Sequence, residues 1–386
     1  MAHDWIERFA GEGVNVAGVL SGTSADGIDV GLARIRAARP EFAALEVLEL
    51  LAFETIPFAG ELESRIRRAL DAPDGIGLRE VALLQRDLGR AFGRAVRKVA
   101  SRAKIEVQLV GSHGQTVFHH DGVPECAGAS LQLGDGDFVA AEAGCPVVSE
   151  FRQGDLAAGG EGAPLSPLAD PVIYAGLPRP LALLNLGGIS NLTYLAEDAS
   201  KGVAFDSGPA NSLLDGVARA RLDRAYDEGG AVALAGNSDE RLLARLLEHP
   251  YFAKAIPKST GRDTFGANYV DEVLQLAPQL SDADLLATCV ELVAATVAND
   301  IRRFVANAPR ELILCGGGAH NRALVRALER RTGCTVSESD AHGVPADARE
   351  SLVFAVLAAA RVLDIGVTRT WATGAPDGLV LGKRSR

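Results

Sequence analysis

A single aspartate, Asp155, stands in the run Arg152-Gln153-Gly154-Asp155-Leu156-Ala157-Ala158-Gly159-Gly160-Glu161-Gly162-Ala163-Pro164-Leu165. Four glycines and a proline make a poor helix and a poor strand, but they suit a loop where a ligand approaches backbone closely. Asp155 is therefore a candidate general base, and a helix-capping aspartate is the competing reading. A second constellation is Gly18-Val19-Leu20-Ser21-Gly22-Thr23-Ser24-Ala25-Asp26-Gly27-Ile28-Asp29. Its glycines can expose backbone N–H groups, and Thr23 and Ser24 add hydroxyl donors, so the turn can cup a phosphate chain. Asp26 and Asp29 are tolerated beside polyphosphate if a divalent cation such as Mg²⁺ lies between, and a polar surface hairpin is the alternative. The third is Gly316-Gly317-Gly318-Ala319-His320-Asn321, whose bare backbone would let adenine or ribose lie flat; it also reads as a tight turn.

Strands must position these residues. The apolar run 14–20 and the alternating Ile28, Val30, Leu32 read as a hairpin with the polar turn at its tip. A third strand is expected over 46–54, helices over 60–70 and 78–104, and a buried-type strand over 107–111 feeding Ser112-His113-Gly114-Gln115-Thr116. Polar residues thus cluster where strands end, the usual ligand position in α/β proteins. His113, His119 and His120 lack a third ligand at helical spacing and read as hydrogen-bonding groups rather than a metal site. A second strand, Gly-rich turn, strand unit follows over 182–195, with Asn185, Gly187, Gly188 and Ser190 at its turn, and a further strand runs to Asp206. Two such hairpins, one in each half, predict a duplicated architecture holding a nucleotide. The loop 257–263, with cations Lys258 and Arg262, reads either as a ligand contact or as a surface cover. Helices are expected over 239–247, 285–305 and 347–363, with a strand over 311–315.

With 386 residues the chain exceeds one ordinary core, so two domains are expected. A net charge of -11 opposes non-specific binding to nucleic acid or anionic lipid, and the arginine stripe on 78–104 then reads as a solvated helix face. The first fifteen residues lack a signal-peptide core and no run reaches membrane-spanning length, so the expected compartment is the cytoplasm and no membrane partner is expected. Five scattered cysteines without a C-x-x-C pair suit reduced thiols. No G-x-x-x-x-G-K-[ST] sequence occurs, so ATP binding would need another device.

Together these passages resemble the anhydro-N-acetylmuramic acid kinase family of the actin, hexokinase and Hsp70-like ATPases. The likeness runs from residues 18–29 through 111–116, Phe151-Arg152, Asp155, 159–165, 185–191, 205–211, 257–261 and 316–321 to Thr373-Gly374-Ala375. It implies a two-domain α/β fold of the actin/hexokinase-like, ribonuclease H-like type with an interdomain cleft. Residues 1–150 with about 355–386 would form the N-terminal domain and 151–354 the second, with closure over ligand.

The implied activity uses ATP and Mg²⁺ to open the 1,6-anhydro ring of anhydro-N-acetylmuramic acid with water and to phosphorylate O6, for cell-wall recycling. By resemblance, Asp155 is the base, and Gly22, Thr23, Ser24, Ala25, Asp26, Gly27, Ile28 and Asp29 form the first ATP-phosphate segment. Asn185, Gly187, Gly188 and Ser190 form the second, and Gly316, Gly317 and Gly318 the adenosine loop. His113, Gln115, Arg152, Gly159, Gly160 and Glu350 would face the sugar, and Asp26 and Asp206 the metal. The implied partner is a small anhydro sugar, with no nucleic acid, and a homodimer is expected from kin.

The sequence departs from the family's usual residues at Glu161, where Gln is usual, at Leu20, where Met is, and at Ser207, where Thr is frequent. An added carboxylate at Glu161 keeps open a sibling activity on levoglucosan, which lacks the lactyl carboxylate. A nucleotide-switched scaffold and a binding module without turnover are the competing classes.

Overall fold

Alternate residues of the first hairpin meet two different coverings, and this sets the layers. In the computed structural model, which describes residues 2–22, 25–37, 45–72, 75–120 and 128–386, the chain divides into two compact units. One comprises residues 1–176 with 348–386, the other 177–347. Residues 151–176, expected in the second domain, thus pack with the first unit, as does the whole of 348–386.

The first unit opens with α1 (Ala2–Ala10), then β1 (Val14–Ser21), β2 (Ile28–Ala37) and β3 (Leu45–Ile56), an antiparallel meander. Helices α2 (Gly60–Asp71) and α3 (Leu78–Ala103) follow, then β4 (Leu109–His120), β5 (Ala129–Leu133), α4 (Gly136–Ala143), β6 (Val147–Ser149), α5 (Phe151–Ala157) and α6 (Ser166–Ile173). The second unit holds β7 (Leu181–Leu186), β8 (Ile189–Leu195), β9 (Val203–Pro209), α7 (Asn211–Leu222), α8 (Ala231–Ala235), α9 (Glu240–Leu247), α10 (Arg262–Phe265), α11 (Ala267–Leu276), α12 (Asp282–Phe304), β10 (Glu311–Cys315), α13 (Arg322–Thr332) and β11 (Thr335–Glu338). The chain then returns to the first unit as α14 (Arg349–Leu363), α15 (Thr370–Thr373) and β12 (Lys383–Ser385).

The first sheet runs β12-β6-β4-β1-β2-β3, with β5 paired to β4. The second runs β11-β10-β7-β8-β9. Each contains an antiparallel three-strand meander whose first strand carries two further parallel strands on its other edge, β4 and β6 in one, β10 and β11 in the other. The same five-strand order therefore occurs twice.

On one face of the first sheet, Ala17, Val19, Val30 and Leu32 join a core with Leu84, Leu88 and Phe92 of α3. The other face is bare backbone at one level, that of Gly18, Gly31 and Gly111. A Cβ on Gly18 would lie 1.7 Å from the Ser351 carbonyl oxygen, one on Gly31 2.1 Å from Ser351 Oγ, and one on Gly111 2.0 Å from the Phe354 carbonyl oxygen. Three adjacent strands thus omit a side chain at the level where α14 crosses, and the helix lies directly on the sheet. Arg349, in its first turn, is tied to Asp170 of α6 by a buried bidentate pair, Nε to Oδ1 at 3.1 Å and Nη2 to Oδ2 at 2.6 Å.

The second unit's core gathers Leu184 and Leu186 of β7, Leu312 and Leu314 of β10, and Leu292, Val293 and Val297 of α12. The loop cation Lys258 turns inward: Nζ lies 2.7 Å from Asp300 Oδ2 and within 5.1 to 5.8 Å of the Tyr251, Phe304 and Phe205 rings. It anchors the loop in the core and is not a surface group. Among the described residues, no helix is long and apolar enough to cross a membrane.

Candidate active site

Asp155 lies on α5, and this corrects the expectation of an irregular loop throughout 152–165. Phe151, 1% exposed, sinks into the core and fixes the start of the helix. The glycines begin to act after the helix ends: Ala158 and Gly160 donate N–H groups back to the Asp155 carbonyl oxygen at 3.1 and 2.9 Å. The chain then curls round the aspartate, whose side chain is 0% exposed. Its Oδ2 accepts the Gly162 N–H at 2.8 Å and its Oδ1 accepts the Thr373 hydroxyl at 2.6 Å. A Cβ on Gly160 would sit 2.2 Å from Oδ2, so only glycine lets the loop wrap this closely. Gly159, exposed, has φ +89° and turns the chain.

Arg152, one helical turn before Asp155, donates through Nη1 to the Gly162 carbonyl oxygen at 2.7 Å and through Nε to His113 Nε2 at 3.0 Å. Gly162 therefore bridges the arginine and the aspartate through its two backbone groups. Burial pulls the Arg152 pKa down to about 10, opposed by the nearby carboxylates of Glu350 and Asp155. His113 is buried, stacks on Phe354 of α14 at 4.5 Å, and its Nδ1 lies 3.2 Å from the Gly114 carbonyl oxygen. Burial, with Arg152 adding to it, holds its pKa well below the usual histidine value. Glu350 is exposed in the first turn of α14. His113, Arg152, Asp155, Gly159, Gly160 and Glu350 are thus brought together within the first unit.

Gln115 belongs to the same end of the sheet. The strand expected to stop at 111 continues to His120, because beyond Gly111 it pairs in parallel with β1 and then antiparallel with β5. Gln115, opposite Ser21, is 0% exposed and donates through Nε2 to the Gly22 carbonyl oxygen at 3.1 Å, while its Oε1 is buried with no hydrogen-bond partner among the described residues. An unsatisfied acceptor inside this site fits a bound donor. The Ser21 hydroxyl beside it is in the same state.

Of the first phosphate segment, Thr23 and Ser24 lie outside the described residues. Ala25 adopts φ +52° and donates its N–H to the Gly22 carbonyl oxygen at 3.1 Å, which closes the turn. Asp26 is exposed at the tip, Ile28 is buried, and Asp29 Oδ1 accepts the Thr55 hydroxyl at 2.6 Å. Gly27 is required by β3: a Cβ there would come 2.7 Å from Thr55 Cγ2 and 3.2 Å from the Ile56 carbonyl oxygen.

In the second unit, Asn185 pairs across the sheet with both Asn191 and Cys315, so the second turn and the glycine triplet are neighbours. Gly316, at φ +74°, would carry its Cβ 2.6 Å from Asn185 Oδ1, and Gly318 2.6 Å from Leu186 Cβ. The Gly187 and Gly188 carbonyls receive the N–H groups of Asn211 and of Ala210 and Ser212, seating the start of α7 on this turn. Ser190 is buried and donates its hydroxyl to the Gly208 carbonyl oxygen at 3.1 Å, a bond that joins β8 to β9. Gly317 and Gly318 line a cavity of about 390 Å³ together with Asn211, Asp215, Tyr226, Asp227 and His320, a size that suits a nucleoside. Burial raises the Asp215 pKa, opposed by Arg219. Asp227 holds the start of α8, its two oxygens accepting the Val232 and Ala233 N–H groups at 2.9 Å. Asp206 Oδ2 accepts the Thr260 N–H at 2.9 Å. Among the described residues, no three His, Cys, Asp or Glu side chains gather as a metal-binding group.

Sequence reasoning did not single out Thr373, Asp170, Arg349, Phe354, Asp215 or Tyr226 as site residues. Thr373 lies 218 positions from its partner Asp155 and Arg349 lies 179 from Asp170, and no local pattern carries such separations.

The profile of the family described as anhydro-N-acetylmuramic acid kinase matches residues 14–385. A relative of that name from Salinibacter ruber is 41% identical over 384 residues, covering 96% of each chain. One from Rhodospirillum rubrum is 39% identical over 365 residues, covering 95% of this chain and 92% of its own. Among solved structures the chain is similar to the activator of the 2-hydroxyisocaproyl-CoA dehydratase from Clostridium difficile with bound ADPNP, at 14% identity and TM-score 0.44, covering 90% of this chain and 96% of that one. From its near-full-length match and the identity to its relatives, the chain belongs to the anhydro-N-acetylmuramic acid kinase family.

Proposed function

We propose that the chain opens the 1,6-anhydro ring of anhydro-N-acetylmuramic acid with water and transfers the γ-phosphoryl group of ATP to O6, giving N-acetylmuramic acid 6-phosphate. The observation that carries this reading is the buried Asp155 carboxylate, set by two donors beside Arg152, with His113 and Glu350 at the same site. Asp155 takes a proton from the water that attacks the anomeric carbon. As the C1–O bond breaks, O6 keeps the electron pair and attacks the γ-phosphorus, and ADP leaves. Ring opening and phosphoryl transfer then share one bound geometry, so positioning supplies much of the acceleration. Arg152, Gln115 and Glu350 orient the sugar.

The tip residues 22–29 and the turn at 185–190 would hold the phosphates, and the cavity beside Gly317 and Gly318 the adenosine. Asp26 at the first tip and Asp206 on β9 are the carboxylates that would hold Mg²⁺, whose chemistry there would be to neutralise charge on the phosphate oxygens, since one or two carboxylates plus phosphates and waters make its usual shell. The working setting is the cytoplasm and cell-wall recycling, and the assembly a homodimer.

Incubation of purified protein with Mg-ATP and the anhydro sugar tests the reading. Sugar 6-phosphate and ADP are expected in equal amounts. ADP without sugar phosphate would replace the kinase with a nucleotide switch. Glu161 favours a second comparison, with levoglucosan as acceptor, because its carboxylate lies on the loop that wraps Asp155.

A further inference from the structure

A carboxylate held at one oxygen still swings about its last bond, because that torsion is broad and roughly two-fold. Two donors on different oxygens fix its plane. In Asp155 one donor is the local Gly162 N–H on Oδ2, and the other is the Thr373 hydroxyl on Oδ1 at 2.6 Å. Thr373 is 1% exposed, and its carbonyl oxygen also accepts the Glu161 N–H at 2.8 Å, so one residue grips both the aspartate and the loop wrapped round it. The segment that delivers it is braced from within. Asp377 Oδ1 accepts the Thr370 N–H and hydroxyl at 2.6 and 2.9 Å, and the Thr368 hydroxyl donates to the Pro376 carbonyl oxygen at 2.6 Å. Ala375, 0% exposed, packs on Gly160, where a Cβ would come 2.8 Å from its own. A hydroxyl buried this deeply and aimed at an oxygen of the base does more than fill space.

We propose that Thr373 is a positioning residue that fixes the plane of the Asp155 carboxylate, and with it the lone pair that receives the proton of the attacking water. This rests on Asp155 being the base. In this role Thr373 acts through Asp155 and the loop around it. Its removal therefore lowers turnover and leaves the binding of ATP and sugar intact.

The experiment compares Thr373→Val, Thr373→Ala and Thr373→Ser with Asp155→Asn, using purified protein, Mg-ATP and anhydro-N-acetylmuramic acid. The expected result for Thr373→Val is a kcat lower by about 10- to 100-fold with KM for either substrate changed less than about twofold, as for an interaction needed only in the transition state. Thr373→Ser, which keeps the hydroxyl, is expected within about threefold of the parent. A parent-like kcat in the folded valine variant, a loss seated in KM, or a serine variant as slow as the valine variant would each overturn the proposal. If the valine variant does not fold, the alanine variant carries the same reading. Loss of folding in both, with the serine variant folded, would make the hydroxyl a folding determinant and also overturn it. Asp155→Asn separates the two layers: a near-normal rate there removes the base, whereas a dead Asp155→Asn beside an unimpaired Thr373→Val removes only the positioning role.

Discussion

Arg152 Nε donates to Nε2 of His113 at 3.0 Å, and the Nδ1 of the same ring faces the Gly114 carbonyl oxygen at 3.2 Å. A guanidinium only donates and a carbonyl only accepts, so the ring is the neutral tautomer with its proton on Nδ1. A second proton would have to enter against Arg152, in a buried place.

The pH dependence of stability follows from that tautomer. The His113 pKa is depressed in the folded chain, by burial first and by Arg152 second, while the unfolded histidine titrates near about 6.5. Below that value the unfolded chain binds a proton that the folded one refuses, so stability is complete above it and falls as the pH drops. The slope from one such group reaches at most about 1.4 kcal/mol per pH unit. Urea unfolding at a series of pH values from neutral downward should show the midpoint falling, and Glu or Asp contributions are subtracted by His113→Gln, in which the fall should be shallower. An identical slope in the variant would show that His113 titrates freely.

Replacement of Asp155 by Asn is expected to leave ATP binding in place and to lower sugar phosphate formation by about two to four orders of magnitude, the usual contribution of a positioned base. Isothermal titration with nucleotide, alongside product assay, checks both halves. Turnover near the parent rate would remove the base assignment.

Alanine at Gly18 or Gly111 would drive a methyl into the backbone of α14, where the carbonyl oxygens of Ser351 and Phe354 lie 1.7 and 2.0 Å from the new carbon. Destabilisation of about 1–3 kcal/mol or more is expected from such overpacking. Because Glu350 rides on the first turn of that helix, sugar KM should rise as well. Gly60→Ala, where a methyl meets nothing within 4 Å among the described residues, is the control and should lie within about 0.5 kcal/mol of the parent.

Breaking the buried Arg349 and Asp170 pair from one side, as in Arg349→Met, should cost about 3–5 kcal/mol because it takes the bidentate guanidinium away from a buried carboxylate. The double variant Arg349→Met, Asp170→Leu should recover most of that loss in denaturant unfolding. No recovery would show that other partners of the two groups carry the stability.

Glu161→Gln removes a negative charge from the loop around Asp155. If the lactyl carboxylate of the sugar approaches this loop, KM for anhydro-N-acetylmuramic acid should fall while KM for levoglucosan stays, since only the first loses a repulsion. Steady-state kinetics on both sugars at low and moderate salt decides it, and equal shifts would place Glu161 away from the carboxylate.

Much of the fold was legible because its pattern is local. The strands at 14–21 and 28–37, the long helix 78–103 and the strand 311–315 follow from apolar periodicity, and the polar turn falls between the first two as spacing demands. Two misreadings have one cause. The strand expected to end at 111 runs on to 120, and Asp155, expected in a loop, is helical, because in both places tertiary partners override a polar, glycine-containing sequence. Beta4 is held by strands on both sides, and α5 by the burial of Phe151. The glycines of 18, 31 and 111 were visible as letters, but their shared purpose beneath α14 was not, since it joins four distant segments. Lys258 shows the reverse: a charged letter in a polar loop that turned out to belong to the core.

The return of residues 348–386 to the first unit sets an order of events during synthesis. Residues 177–347 are contiguous and can fold as soon as they leave the ribosome, whereas the first sheet must wait for α14, which covers Gly18, Gly31 and Gly111, and for its own edge strand β12, both translated after the whole second unit. The nascent chain therefore synthesises all of its middle before the last layer of its beginning, and a chain ending before residue 349 would carry a first unit whose three-glycine level lacks its covering helix.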